Sequence, residues 1–537
     1  MAITKVTGAM LGNYVGGSAD DTVVVGDGAG VAITTGVDNT LIGDNAGTAL
    51  TEGNDNVAIG NEALAANTTG TGNTAIGTEA LDANTTANYN TALGSGAATA
   101  NTTGGELVAI GRNALAANTT GSSNTAVGMR ALDANTTADD NTAVGKDAMG
   151  ANTTGTTNTA VGALSMQSAT TANFNTAVGY DAGGDITTGS SNTVLGMEAL
   201  SKTTTGGSNT AVGQGALNFN TTASNNTAVG ATALAANTTG HSNTAFGVTA
   251  LDANTTGVQS TAVGYNAGGA ITTGSGHTVL GFGALQNATT IDYGFALGYE
   301  AGAANTTGTQ NTFVGTFSGD SVTTGGDNTM VGFQAGAAVT TGTQNTTYGH
   351  RSGDNITTGG TNTLIGAAVD GSGSGTSNAN GLGYNLTCAD NYTTIGQGTA
   401  DIRAEHGVAT WAVVSDERVK KDIEDATVGL AFINDLRPVT FNYKNKGDLP
   451  ENFRGYEEGS TEVYKNSKSQ HGFIAQEVKA AIDKHSDIKD GFSMWDDDDP
   501  TGQQRVGETA VIPMLVKAIQ ELSAQVEELK LQINEEK

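Results

Sequence analysis

This sequence of 537 residues is poor in the residue types that build disulfide frameworks, metal centres and large aromatic cores. It contains 4 prolines and 1 cysteine, and only 5% of its residues are aromatic and 14% charged. The single Cys388 excludes an intrachain disulfide, and the scattered histidines show no spacing typical of a metal site. We therefore expect no cofactor and no metal.

The charge and the hydropathy pattern exclude two further classes of partner. A net charge of −30 disfavours binding to nucleic acid or to anionic lipid through general electrostatics. No stretch approaches the roughly 18 apolar residues of a membrane-spanning helix. Residues 1–11 also lack the basic region followed by an apolar region of a secretion signal. We expect neither a nucleic-acid partner nor membrane insertion.

A glycine returns every 17 residues from Gly26 to Gly383, at 22 positions without a slip. The residue before it is apolar each time, as Val127 is before Gly128. A fixed period over so long a segment is typical of one structural unit stacked on itself. The sequence therefore predicts a rod-like solenoid.

The repeat unit has the alternation of a strand and not the period of a helix. In Asn124-Thr125-Ala126-Val127-Gly128, Thr125 and Val127 share one face and Ala126 takes the other. Ala131-Leu132 supplies a second apolar spot, and Asn135-Thr136-Thr137 suits a turn. We predict two short strands and two turns per unit, stacked about 4.8 Å apart as a parallel β-roll. We expect the apolar residue before each glycine to line the interior.

The strand segments Val57-Ala58-Ile59-Gly60 and Val108-Ala109-Ile110-Gly111 resemble the head repeats of YadA-type trimeric adhesins. The resemblance implies a left-handed β-roll bundled three abreast. The usual repeat of that family is shorter, so the second turn is expected to be longer here.

The composition changes after Gly396, where the repeats give way to a more ordinary sequence. We divide the chain into an attachment segment (1–25), a mainly β shaft (26–396), a connector (397–414) and a small α+β domain (415–537). The last segment predicts a coiled coil at about 512–534, because its apolar residues alternate at spacings of 3 and 4. These residues are Ile512, Leu515, Ile519, Leu522, Val526, Leu529 and Ile533. By the usual rule, β-branched residues at heptad position a with leucine at heptad position d favour a two-stranded coiled coil.

Three features of the last 120 or so residues occur together in a fixed order. They are the run from Ser415 to Lys420 (Ser-Asp-Glu-Arg-Val-Lys), the run from Gly472 to Val478 (Gly-Phe-Ile-Ala-Gln-Glu-Val) and the terminal heptads. This combination resembles the C-terminal intramolecular chaperone domain of phage tailspikes, endosialidases and tail fibres. The resemblance implies a domain that trimerises, guides folding of the β-rich shaft, and then cuts itself off with a serine–lysine dyad.

Carried onto this chain, the resemblance makes Ser415 the nucleophile, Lys420 the base and Val414–Ser415 the broken bond. Asp416 and Arg418 either orient the dyad or form an ordinary surface ion pair. A lysine can accept the serine proton only if burial lowers its pKa from about 10.4. The Ser415 hydroxyl would then attack the preceding carbonyl in an N-to-O acyl shift, and water would release the ester. This is at most a single-turnover reaction, and we expect no activity on other substrates.

These observations predict a structural phage tail fibre or tailspike protein that attaches the virion to its host. We expect a homotrimer that is made in the host cytoplasm and carried on the virion tail. Its expected partners are a host cell-surface receptor, with a glycan as the first candidate, and tail or baseplate proteins bound through residues 1–25.

Several alternatives remain open at this point. A tailspike that depolymerises glycans needs two carboxylates about 5–9.5 Å apart in a cleft, whereas the shaft acids lie one per repeat in turns (Glu62, Asp82, Asp133, Asp252). A fibre could instead keep the chaperone as a permanent trimerisation tip. The Thr-Thr pairs could form a flat ice- or glycan-binding face, although the glycine after many of them favours a turn. A membrane-anchored adhesin is disfavoured by the missing signal and anchor.

Overall fold

A computed structural model of the chain describes residues 21–408, 412–413, 417–453, 455–488, 492–496 and 503–536. The chain divides into two compact units, Met1–Val414 and Ser415–Lys537. Among the described residues, no helix combines the length and apolarity needed to cross a bilayer.

The first unit contains a parallel β-solenoid in which each 17-residue repeat forms one coil, called a rung below. Each rung contributes one short strand that pairs in parallel with the equivalent residues of the next rung, as Thr125 does with Thr142. Twenty-one of these strands have three residues: β1 Val23–Val25, β2 Thr40–Ile42, β3 Val57–Ile59, β4 Thr74–Ile76, β5 Thr91–Leu93, β6 Val108–Ile110, β7 Thr125–Val127, β8 Thr142–Val144, β9 Thr159–Val161, β10 Thr176–Val178, β11 Thr193–Leu195, β12 Thr210–Val212, β13 Thr227–Val229, β14 Thr244–Phe246, β15 Thr261–Val263, β16 Thr278–Leu280, β17 Phe295–Leu297, β18 Thr312–Val314, β19 Thr329–Val331, β20 Thr346–Tyr348 and β21 Thr363–Ile365. The predicted mainly β solenoid with a 17-residue rung is confirmed.

The C-terminal end of the shaft is closed by antiparallel strands. The strands of this region are β22 Asp370–Gly371, β23 Asn380–Tyr384, β24 Thr387–Cys388, β25 Tyr392–Gln397, β26 Ala400–Glu405 and β27 Ala412–Val413. Strands β23 and β25 continue the parallel ladder, and β26 then pairs antiparallel with both β25 and β27. This pairing covers the strand edge that the last rung would otherwise leave open.

The second strand expected in each rung is wrong except near the shaft end, where β22 pairs with β24. In a typical rung the segment around Leu132 is a turn, with φ of 56° at Arg130 and 51° at Leu132. These left-handed conformations prevent an extended strand. The backbone still bonds to both neighbouring rungs, because the N–H of Arg130 donates to Arg112 and the N–H of Leu132 donates to Ala148.

The prediction that the residue before each glycine lines the interior is also wrong. The inner row consists of the residue two positions before each glycine, such as Ala126, Phe313 and Leu364, and these three side chains are fully buried. The apolar row, the residue directly before each glycine, faces outward: Leu195 is 49% and Phe246 is 56% exposed. The predicted alternation of the strand is confirmed, but the buried and exposed faces are the reverse of those expected. Turn leucines such as Leu132 already fill much of the narrow core.

Buried asparagines connect consecutive rungs on the inner side of the strands. The N–H of Asn141 donates to Oδ1 of Asn124 at 3.0 Å, and Nδ2 of Asn141 donates to the carbonyl of Gly155 at 2.8 Å. A second ladder runs through the turns, where Nδ2 of Asn135 donates to Oδ1 of Asn118 at 2.8 Å. Such amide ladders satisfy buried polar groups rung by rung and hold the register.

The repeat glycine is required by its backbone and by its neighbour. Gly128 has a φ of 138°, which L side chains rarely adopt. A Cβ on Gly128 would lie 2.4 Å from the carbonyl oxygen of Gly145 in the next rung. The unbroken glycine series therefore reflects the close approach of successive rungs.

The second unit is a small α+β domain. Its elements are a 3₁₀ turn Glu417–Val419, α1 Leu430–Asp435, β28 Val439–Phe441, a 3₁₀ turn Lys446–Asp448, β29 Gln470–Gly472, α2 Ala475–Ile482, β30 Trp495–Asp496, β31 Arg505–Val506, a 3₁₀ turn Glu508–Val511 and α3 Ile512–Glu535. Strand β28 pairs antiparallel with β29, and β30 with β31. Phe432, Val478 and Met494 lie in its core. Helix α3 contacts α1, where Glu521 accepts a hydrogen bond from the N–H of Leu430 at 2.8 Å.

Candidate self-processing site and assembly surfaces

The predicted dyad lies at the start of the second unit. Val414, Ser415 and Asp416 are outside the described residues. Lys420 follows the 3₁₀ turn that contains Arg418, and its backbone N–H donates to the carbonyl of Glu417 at 3.0 Å. The Lys420 side chain is exposed to solvent in the single chain. An exposed lysine lacks the desolvation that a general base needs, so the role assigned to Lys420 stays a prediction.

The Gly472–Val478 motif forms the junction between a strand and a helix. Gly472 ends β29, Phe473 packs against the core, and α2 begins two residues later. Arg437 donates two hydrogen bonds to the carboxylate of Glu477, one of them from Nε at 2.8 Å. This guanidinium lowers the pKa of Glu477. The motif thus connects α2 to the segment that precedes β28.

Helix α3 presents an apolar stripe that its own domain leaves exposed. All seven predicted heptad residues lie on this helix of 24 residues. Each of them is exposed: Ile512, Leu515, Ile519, Leu522, Val526, Leu529 and Ile533. An exposed apolar stripe at heptad spacing favours packing against the same helix of another chain.

The shaft carries a second exposed apolar line, formed by the apolar row. Its side chains follow one another on the outward face of the parallel ladder, because the register places equivalent residues side by side. The most exposed members include Ile42, Leu93, Leu195, Phe246, Leu280, Leu297, Tyr348, Ile365 and Leu382. Long contiguous apolar surfaces of this kind mark interaction sites.

Four shaft aspartates with a raised pKa share one position of the rung. Burial raises the pKa of Asp82, with a further contribution from Glu62 and Glu79. Burial likewise raises the pKa of Asp133 and Asp252, and Asp320 behaves in the same way. All four aspartates stand five residues after a repeat glycine. Their raised pKa is therefore a property of this rung position and does not by itself indicate a glycosidase pair.

The threonine pairs serve the stacking of the rungs. The first hydroxyl of each typical pair donates to the backbone of the next rung, as Oγ1 of Thr119 does to the carbonyl of Thr136 at 2.9 Å. The same bond recurs one rung later, from Thr136 to Thr153 at 3.1 Å. These hydroxyls therefore form hydrogen bonds between rungs, which agrees with the expected place of the threonine pairs in turns.

Residues 415–487 match the family model described as the chaperone of endosialidase. No curated protein and no solved structure matches the chain. The matched segment includes both the Ser415–Lys420 run and the Gly472–Val478 motif, and it ends before α3. The chain therefore combines a β-solenoid shaft with a segment similar to an intramolecular chaperone.

Proposed function

We propose that this protein is a homotrimeric phage tail fibre or tailspike protein that attaches the virion to the host surface. The observation that carries the proposal is the chaperone-like segment 415–487, which directly follows a long β-solenoid. A chaperone for a β-rich shaft is useful where identical rungs allow many slipped registers between chains. A long stack of nearly identical rungs presents that problem.

Two exposed apolar surfaces support self-association of the chain. The α3 stripe and the apolar row lie on separate units, and each presents apolar side chains to solvent. Further copies of the chain can cover both lines with equivalent residues, as closed cyclic symmetry requires. The resemblance of both units to trimeric proteins favours three copies over the two that the heptad residues alone would favour.

Self-cleavage at Val414–Ser415 is the finer part of the proposal. The Lys420 side chain of a single chain is exposed to solvent, whereas a lysine that acts as a general base needs burial. We infer that the lysine becomes buried only when chains associate, so that cleavage follows assembly. After the chaperone has been cut off, the shaft would stay folded because its barrier to unfolding is high.

The assembly is tested by native mass spectrometry of the full chain beside Ser415→Ala. We expect Ser415→Ala to give a trimer of intact chains, three times 53.6 kDa. Wild type should give a trimer shortened by residues 415–537, whereas the control Ser467→Ala should be cleaved like wild type. An intact wild-type trimer would favour the fibre that retains its chaperone as a tip. A monomer would overturn the trimeric fibre.

Attachment is tested separately with the fluorescently labelled Ser415→Ala trimer on a panel of bacterial strains. Saturable binding to the surface of at least one strain is the expected result. Release of reducing sugars from the bound cells would instead favour the depolymerase alternative. Absence of binding to every strain would overturn the attachment function.

A further inference from the structure

Three exposed aromatic residues stand out at one position of the rung, five residues before the repeat glycine. Tyr89, Phe174 and Tyr293 have φ of 60°, 59° and 54° and are 66%, 63% and 72% exposed. Other rungs place residues that tolerate this conformation there, such as Asp55 and Asn225. A bulky ring in a left-handed turn gains little from burial here, so its presence needs a reason other than folding.

The turn holds each of these aromatic residues in the same way. The residue before the aromatic residue is Asn88, Asn173 or Asp292. Its side-chain oxygen accepts a hydrogen bond from a backbone N–H of the previous rung, at 2.7, 2.7 and 2.9 Å respectively. The two tyrosines also lie against a glycine of the previous rung. A Cβ on Gly72 would come within 2.8 Å of the Tyr89 ring. The Tyr89 ring thus lies against Gly72 while most of the side chain stays exposed.

A groove of about 410 Å³ lies beside Tyr89, within the range of about 300–1,000 Å³ of small-molecule sites. Thr103, Glu106 and Ser122 line it together with the Tyr89 ring and Asn88. Its lining comes from three successive rungs, and Gly105 contributes no side chain. An aromatic surface edged by hydroxyl, amide and carboxylate groups offers both apolar and polar contacts to one ligand.

We propose that this groove binds a neutral or N-acetylated saccharide unit, with its apolar ring face on Tyr89 and its hydroxyls donating to Glu106. This inference rests on the proposed attachment function, for which it names the receptor chemistry. The carboxylate of Glu106 and the net charge of −30 disfavour acidic sugars. Three copies of a weak site on one trimer would raise the apparent affinity for a cell surface that displays many copies of the saccharide.

The aromatic stack further along the shaft is less suited to this task. Tyr265 and Phe282 stack at 5.0 Å, and Phe282 and Tyr299 stack at 5.2 Å. Their ring faces cover one another, so that mainly edges remain for a sugar ring. The Tyr89 ring has no such partner in its own turn, where Gly72 and Glu106 occupy the equivalent positions of the neighbouring rungs.

The test uses full-length Ser415→Ala protein as the parent, with chitohexaose, cellohexaose and an oligogalacturonate as probes. Saturation-transfer NMR and calorimetry should show binding of at least one of the two neutral probes and weaker binding of the acidic one. Tyr89→Asn should weaken that binding by about tenfold or more. It should still fold, since Asn225 occupies the same rung position. The matched control Tyr293→Asn removes an aromatic ring from the same rung position but outside this groove, and it should bind like the parent.

Failure of both neutral probes to bind, equal binding by Tyr89→Asn, or tighter binding of the acidic probe would each overturn the saccharide groove. The cell-binding assay separates this result from the attachment function. If Tyr89→Asn attaches to cells as well as the parent does, the groove is not the receptor site but attachment stands. If the parent attaches to no strain, attachment itself fails.

Discussion

The ring Nδ1 of His277 accepts a hydrogen bond at 3.1 Å from the backbone N–H of Gly294, one rung further along the shaft. His277 is buried and stands where most rungs carry a ladder asparagine, such as Asn243. Burial lowers the pKa of His277, although Asp292 and the carbonyls of Gly274 and Ile291 oppose the shift. The neutral ring is therefore the form that fits the rung.

This burial predicts a loss of local stability in mild acid. The unfolded histidine takes up a proton below about pH 6.5, whereas the folded ring resists protonation, so the free energy of unfolding falls as pH drops below that value. His277→Asn should remove this dependence. Hydrogen exchange of residues 261–294, compared between pH 7.5 and 5 after correction for intrinsic rates, measures the effect.

The matched control for this prediction is His241→Asn, because His241 lies on the surface of the shaft. It should retain the acid sensitivity of wild type. Equal pH dependence in wild type and His277→Asn would show that this histidine does not limit the stability of its rungs.

Two neighbouring residues of β12 separate folding from assembly. Ala211 belongs to the inner row and is fully buried, whereas Val212 belongs to the apolar row and is only partly buried. Ala211→Asp should destabilise its rungs by about 4 kcal/mol or more, because it places an unpaired charge in the core. Val212→Asp should leave the rungs folded and weaken trimer formation. Hydrogen exchange and native mass spectrometry distinguish these outcomes, and equal loss of rung protection in both variants would contradict the assignment of faces.

The close approach of rungs predicts a sharp difference between two glycines. Gly128→Ala would force a Cβ to 2.4 Å from a carbonyl oxygen, whereas at Gly150 the nearest atom to a Cβ is Oδ1 of Asp133 at 3.4 Å. We expect local unfolding or aggregation for Gly128→Ala. Gly150→Ala should change the midpoint of thermal unfolding by no more than a few degrees, since Ala116 fills the same rung position. Indistinguishable melting curves would contradict the packing argument.

The proposed dyad predicts different outcomes for two substitutions of the same lysine. Lys420→Ala should slow self-cleavage by about 10²–10⁴-fold. Lys420→Arg keeps the charge but should also block the reaction, because arginine does not deprotonate in proteins. Lys421→Ala serves as the control and should cleave normally. Intact-mass analysis over time measures each rate, and normal cleavage by Lys420→Arg would exclude a lysine base.

The sequence alone determined the repeat, its strand and the recurrence of glycine. A 17-residue period with strict apolar–glycine pairs leaves only a stacked parallel arrangement, in which Thr125 must lie beside Thr142. The heptad spacing of residues 512–533 likewise predicted the helix that the structure places at Ile512–Glu535. These features depend on local periodicity, which a single chain carries in full.

The tertiary structure decided which face of each strand is buried. Alternation puts Ala126 and Val127 on opposite faces but does not say which face is inside, and the larger side chain is the natural choice for the interior. The choice depends on Leu132, which enters the core from a left-handed turn and leaves room opposite for a small residue only. The core volume that is left for each side chain depends on residues from distant parts of one rung, so no local sequence pattern predicts it. The same reasoning applies to Tyr89, whose exposed groove exists only because three rungs are stacked.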